Sequence, residues 1–213
     1  MRDSGVVTAA ALSPQRTAEF SKAVVEAGVD IFVIRGTTVS AEHVFRRRRA
    51  AEPQAVHLRA RRAVIVGGCA TYTAALHLMR TGAAGVLVGF GGGAAHTTRN
   101  VLGIQVPMAT AVADVAAARR DYMDESGGRY VHVIADGGVG WSGDIPKAVA
   151  CGADAVMMGS PLARATDAPG KGNPLGHGGR PRGRAARQEG RPRYGRHHRG
   201  DPDRPVALPR TAR

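Results

Sequence analysis

The stretch GFGGGAAHTTR, residues 89–99, runs from three adjacent glycines to a histidine, two threonines and an arginine. Without side chains in the way, backbone amides can face a bound anion, or carbonyls a cation, at close range. A tight turn wants the same residues, and the loop alone does not separate these uses. Gly91 and Gly93 are the candidates for close backbone approach, and His96 is the candidate reactive group. An imidazole can exchange protons near neutral pH. It can also cap a turn or hold a ground-state ligand, and we favour a structural or ground-state binding role over acid/base chemistry. A second cluster, ADGGVGWSGD (135–144), sets Asp136 ahead of Gly137 and Gly138. A carboxylate there can grip both hydroxyls of a ribose while the two glycine amides hold phosphate; an Asp-Gly turn is the plain alternative. A third, MMGSPL (157–162), places Gly159 and Ser160 before Pro161, either an anion-attracting helix start or a simple N-cap. Taken together, the three turns point to one nucleoside monophosphate lying across a shared mouth.

Each turn follows an apolar run, and the runs recur. VVEAGVDIFVIRG (24–36), LMRTGAAGVLVGFG (78–91) and AVACGADAVMMGS (148–160) pass from a helix-like segment through a glycine to an apolar strand and a glycine-bearing turn. The first glycine suits a helix C′ position. Strands this apolar suit a parallel sheet buried on both faces. RYVHVIADGG (129–138), AVIVGGCA (63–70) and VVTAAAL (6–12) are three further strand candidates. Helices are predicted over Pro14–Ala27 behind a Ser13 cap, Thr71–Arg80, Val112–Glu125 and Ile145–Cys151. Alternating strands and helices mean α/β. Strands ending in glycine turns favour part of a (β/α)8 TIM barrel, about six of eight βα units, over an open doubly wound sheet. His132, inside a strand, is expected to be packed, and Trp141 is expected to cover the loop after Asp136.

Charge is concentrated in two places. The chain has 213 residues and a formal net charge of +13, but residues 45–62 carry +6 and residues 171–213 carry +9, leaving −2 for the rest. A near-neutral folded part argues against a nucleic-acid partner, whose binding would fall steeply with salt. Residues 171–213 hold eight Gly and six Pro without apolar periodicity, which reads as a disordered basic tail. Both basic stretches also read as coding DNA translated in a shifted frame, since the adjacent frame can encode an amphipathic helix in place of 52–63. We therefore divide the chain into an incomplete barrel over 1–170, with an aberrant insert at 45–62, and a shifted tail over 171–213. An unbroken frame on resequencing would remove this reading. No run approaches the roughly 20 apolar residues of a membrane helix. Cys69 and Cys151 form no CxxC pair, so a reduced, cytoplasmic protein without membrane partners is expected.

The series VGGCAT, VGFGGGAAHTTR, VIADGGVGWSGDIPKA and GADAVMMGSPLARATDAPG resembles the later strands of the IMP dehydrogenase/GMP reductase family, in its IMP-dehydrogenase-related branch. The resemblance covers about residues 5–44 and 63–171 in order. It implies a (β/α)8 barrel with strands three to eight present and the first two expected ahead of Met1. It implies NAD-dependent oxidation of IMP to XMP in guanine nucleotide synthesis, and a homo-tetramer for intact members but not for a chain lacking two strands. By position, Asp136 resembles the family's ribose-binding carboxylate, and Gly138, Gly159 and Ser160 its phosphate cradle. Gly91, Gly93 and the His96 backbone fall in the loop that also binds potassium there. Thr98 matches a threonine near the purine and, with His96, is the candidate catalytic residue.

Three departures accompany the match. His96 stands where the family's nucleophilic cysteine ends the glycine loop, and a thiolate is a far stronger nucleophile than an imidazole. Ala94 replaces a phosphate-binding serine. Arg35 replaces the carboxylate expected to hold the NAD ribose, and suits a phosphate-bearing ligand better than a neutral diol. Cys69, at a strand's carboxyl end, can line the site, whereas Cys151 lies far from it. The family's flap would fall after residue 171, inside the basic tail. An IMP dehydrogenase-like enzyme is thus weighed against a purine-nucleotide-binding protein without that chemistry. A barrel short of two strands is expected to be poorly soluble or inactive.

Overall fold

A computed structural model describes residues 5–36, 44–45, 48–49, 63–90, 92, 93, 96, 98–165, 167 and 168. Six strands form one all-parallel sheet: β1 (Ala9–Leu12), β2 (Ile31–Arg35), β5 (Ala63–Cys69), β6 (Gly85–Val88), β7 (His132–Asp136) and β8 (Ala155–Met157). They lie in the order β1-β2-β5-β6-β7-β8. Two short antiparallel pieces, β3 (Val44–Phe45) and β4 (Arg48–Arg49), pair apart from it. Strand order never reverses, so every crossover steps the same way. A doubly wound sheet would show a reversal and helices on both faces. Successive right-handed crossovers in one direction stack all helices on one side and curl the sheet, giving a half-barrel.

The helices are α1 (Pro14–Glu26), α2 (Tyr72–Arg80), α3 (Thr98–Leu102), α4 (Met108–Glu125), α5 (Asp144–Ala150) and α6 (Ser160–Ala163). Ser13 precedes Pro14 in extended backbone, as an N-cap before an N1 proline should. Thr71 caps α2 by accepting from the Ala74 amide at 3.3 Å. Helix α4 begins four residues ahead of the sequence reading, directly after Pro107. Helix α3 was not expected; five residues are too few for an apolar period to show. The recurring glycine behaves as its position demands: Gly28, Gly82 and Gly152, each just past a helix, have φ of +71°, +95° and +109°.

The core lies between the sheet and α2 and α4. Phe32, Val64, Val66, Val86, Val88, Val133 and Ala135 meet Ala75, Leu78 and Met79 of α2 and Ala111, Val112, Val115 and Ala118 of α4. These helix positions recur at three- and four-residue spacing, which puts them on one face. Every residue of β6 is buried, whereas β1 and β8 alternate between half-buried and exposed. Two strand readings are corrected in detail. Val6 and Val7 are exposed ahead of β1 and outside it. His132 is exposed too, because it opens β7 and its ring stands edge-on to Tyr130 at 5.2 Å. Among the described residues no helix is long and apolar enough to cross a membrane. Most of the 45–62 segment, all of 171–213 and Gly91 lie outside the described residues.

Candidate functional site

In a parallel sheet, residues that follow each strand gather on its carboxyl edge. Ser13 after β1, Arg35 and Gly36 at the end of β2, Gly89 and Phe90 after β6, and Asp136 and Gly137 at the end of β7 line a single cavity of about 360 Å³ there. Gly92, Gly93 and His96 complete its wall. The glycine loop and the Asp136 turn are thus brought together as expected. Gly159 and Ser160 follow β8 on the same edge, beside β7, where Asp136 pairs with Met157 in register. They are not among the residues lining this cavity. Thr98 opens α3.

The glycines explain one another. A Cβ on Gly137, whose φ is +108°, would sit 3.3 Å from the Gly93 nitrogen and 3.4 Å from the Gly92 Cα. The loop after β6 therefore lies backbone against backbone on the turn after β7. Gly89, at φ +109°, is equally constrained: a Cβ there would meet the Asp136 carbonyl oxygen at 2.6 Å. What approaches the three-glycine loop so closely is the Asp136 turn itself. The His96 amide donates to the Gly93 carbonyl at 3.0 Å, folding the loop back so that His96 joins the cavity wall.

Asp136 is buried, and Arg35 holds it. Arg35 Nε donates to Oδ2 at 2.8 Å and Nη2 to Oδ1 at 3.1 Å, a fork-to-fork pair between residues 101 positions apart. Strands β5 and β6 lie between their two strands. On a flat sheet that separation is about 14 Å at the usual spacing, more than the two side chains span comfortably. The sheet's curl closes the distance, and the ion pair crosses the concave mouth as a chord.

Sequence reasoning did not pick out Ser13, Gly36 or Phe90 as lining residues, although each follows a predicted strand's carboxyl end. It also placed Trp141 over the Asp136 loop. Trp141 is instead 72% exposed, and its backbone amide donates to Asp144 at 3.0 Å. Cys69 lies in the core cluster, its thiol donating to the Leu87 carbonyl at 3.4 Å. Burial pushes that thiol up to about 12, so almost none of it is thiolate at neutral pH. Cys151 ends α5, and both cysteines are free thiols. Among the described residues no cluster of His, Cys, Asp and Glu is arranged to hold a metal.

The family model for the IMP dehydrogenase / GMP reductase domain matches residues 2–180. The chain is 51% identical over 178 residues to an uncharacterized oxidoreductase of Mycolicibacterium smegmatis, covering 81% of this chain and 46% of that relative. It is 42% identical over 149 residues to the inosine-5'-monophosphate dehydrogenase of Haemophilus influenzae, covering 70% of this chain and 28% of that enzyme. The crystal structure of an IMP dehydrogenase/GMP reductase-like protein from Corynebacterium glutamicum superposes with a TM-score of 0.70 at 54% identity, over 78% of this chain and 43% of that one. The chain thus spans less than half the length of these relatives. With the strand order, the carboxyl-edge turns and a match over most of its length in agreement, this chain belongs to the IMP dehydrogenase / GMP reductase family.

Proposed function

We propose that this chain binds a purine nucleoside monophosphate of the IMP kind along the carboxyl edge of its sheet, without the thiolate chemistry of an IMP dehydrogenase. One observation carries the reading: two glycine turns press together beside a buried carboxylate at a cavity of about 360 Å³. That volume is at the small end of the range for ligand sites. Asp136 supplies a carboxylate, which can accept from both hydroxyls of a ribose at once. Gly137 and Gly138 offer amides for phosphate, and Gly159 and Ser160, one strand along, extend the cradle. His96 contacts the base or sugar as a polar wall of the site, and Thr98 follows it at the start of α3. Reduced Cys69 and Cys151 suit a cytoplasmic setting.

The residues do not fit NAD in the position the family resemblance suggests. Arg35 stands at the end of β2, and a guanidinium has five donors and no acceptor with which to receive a ribose hydroxyl. No hydride step follows from such a residue. For covalent attack, Cys69 is protonated and turned into the core. His96 remains as a polar group that can orient a ligand.

Titration calorimetry of the full chain with IMP, and absorbance at the NADH band with IMP and NAD together, test the reading. IMP binding without NADH formation is the expected result. Turnover to XMP and NADH would overturn the non-thiolate part, and failure of IMP to bind would overturn the whole.

A further inference from the structure

Arg35 and Asp136 differ in what they show to the cavity. The Asp136 side chain is 7% exposed, and each of its oxygens accepts from the guanidinium; the Arg35 side chain is 28% exposed. An entering molecule therefore meets a cation that only donates before it meets the acceptor behind it. A neutral diol must donate, and the oxygens it needs are engaged. A phosphate accepts, and its geometry matches the same guanidinium fork. We infer that Arg35 is a specificity-determining residue of this site: it keeps Asp136 closed to unphosphorylated nucleosides and releases it when an anionic group of the ligand takes over the guanidinium. This inference rests on the nucleotide reading above.

The exchange has a physical logic. Pulling Arg35 away with nothing in its place strips a buried carboxylate of its charged partner, which is costly. A ligand phosphate within reach of the arginine replaces one charge-assisted pair with another, and the freed carboxylate then accepts from the sugar. A nucleoside without phosphate gains only the second half. Its affinity is lowered by the small fraction of molecules in which Arg35 has already let go.

Calorimetric titration of the full chain with IMP and with inosine, in wild type and Arg35→Met, separates the possibilities. Wild type should favour IMP over inosine by about a hundredfold, the worth of two charged hydrogen bonds. In Arg35→Met the inosine affinity should rise about tenfold while that for IMP falls, since the closed state no longer exists. A fall for IMP with no gain for inosine would overturn the inference, reducing Arg35 to a phosphate contact while leaving the nucleotide reading in place. Binding of neither ligand to wild type would overturn that reading and this inference with it. Should Arg35→Met fail to fold by circular dichroism, Arg35→Lys, which keeps the charge and loses the fork, carries the test. A partial gain for inosine is then expected, and an unchanged inosine affinity overturns the inference.

Discussion

The two edges of the one sheet are built from different materials. At the amino edge, polar side chains saturate one another. Asp154, just ahead of β8, accepts from Arg119 at 2.6 Å, from the Tyr130 hydroxyl at 2.5 Å and from the Val133 amide at 2.8 Å. Arg119 also lies over the Tyr130 ring, 4.9 Å from its centroid. Asp30 plays the matching part ahead of β2, accepting from the Thr8 amide at 2.7 Å and hydroxyl at 2.8 Å. Arg129 reaches the Tyr122 hydroxyl at 3.0 Å and the carbonyls of Gly82 and Ala83. At the carboxyl edge, glycine backbones pack on each other and the Arg35–Asp136 pair stands over a cavity. The contrast has a simple lesson. Groups that already satisfy each other have nothing left to offer a ligand, whereas glycine backbone that a ligand can approach closely and a pair that can exchange partners do. Barrel proteins divide stability and chemistry between these same two ends.

Substitutions on either edge can break that contrast. The largest effect on stability is expected from Asp154→Ala, which strands Arg119, only 13% exposed at its side chain, and frees the Val133 amide. Chemical denaturation should show a loss of about 2 kcal/mol, for charge-assisted hydrogen bonds in a pair whose carboxylate is partly exposed to solvent. The IMP affinity of the folded fraction should not move. Acid sharpens the same test. Burial opposes ionisation of Asp154, but the Tyr130 hydroxyl, the Val133 amide and Arg119 outweigh it and hold the carboxyl below its ordinary value. A lowered folded value means the stabilisation is complete above the unfolded pKa and is lost as pH falls through the folded one. The gap between wild type and variant should thus be constant near neutrality and close only in acid, below about pH 4. A gap that closes instead on the alkaline side would contradict the assignment.

Gly137→Ala should reverse the balance. Its φ of +108° and the Gly93 nitrogen 3.3 Å from an added Cβ leave no relaxed place for a side chain. A stability loss of about 1–2 kcal/mol is expected from the strain, with a disproportionate loss of IMP binding as the two turns part. Equal binding before and after would mean that their contact is not part of the site. The smallest effect concerns Cys69. With its thiol raised to about 12, it should resist alkylation in the native protein and react only on unfolding, while Cys151 labels first. Peptide mapping by mass spectrometry reads the order directly.

Local patterns in the sequence were enough to place all six strands of the sheet and the glycines that end helices before them. An apolar run bounded by glycine is a short-range signal, and burial on both faces leaves such a run little choice of structure. The same reasoning put the glycine loop and Asp136 on one edge, because parallel strands send their ends the same way. It did not reveal that His132 and Trp141 would be exposed, that Ser13 would line the cavity, or that Asp136 would be held by Arg35. Exposure at a strand's first residue or in a loop escapes strand periodicity, and the Arg35–Asp136 contact depends on how far the sheet curls. Strand periodicity says nothing about curvature, yet curvature alone brings two side chains 101 residues apart to within 2.8 Å. The residue types in the chain settled which groups stand at the mouth; which of them touch was decided by the closing of the half-barrel.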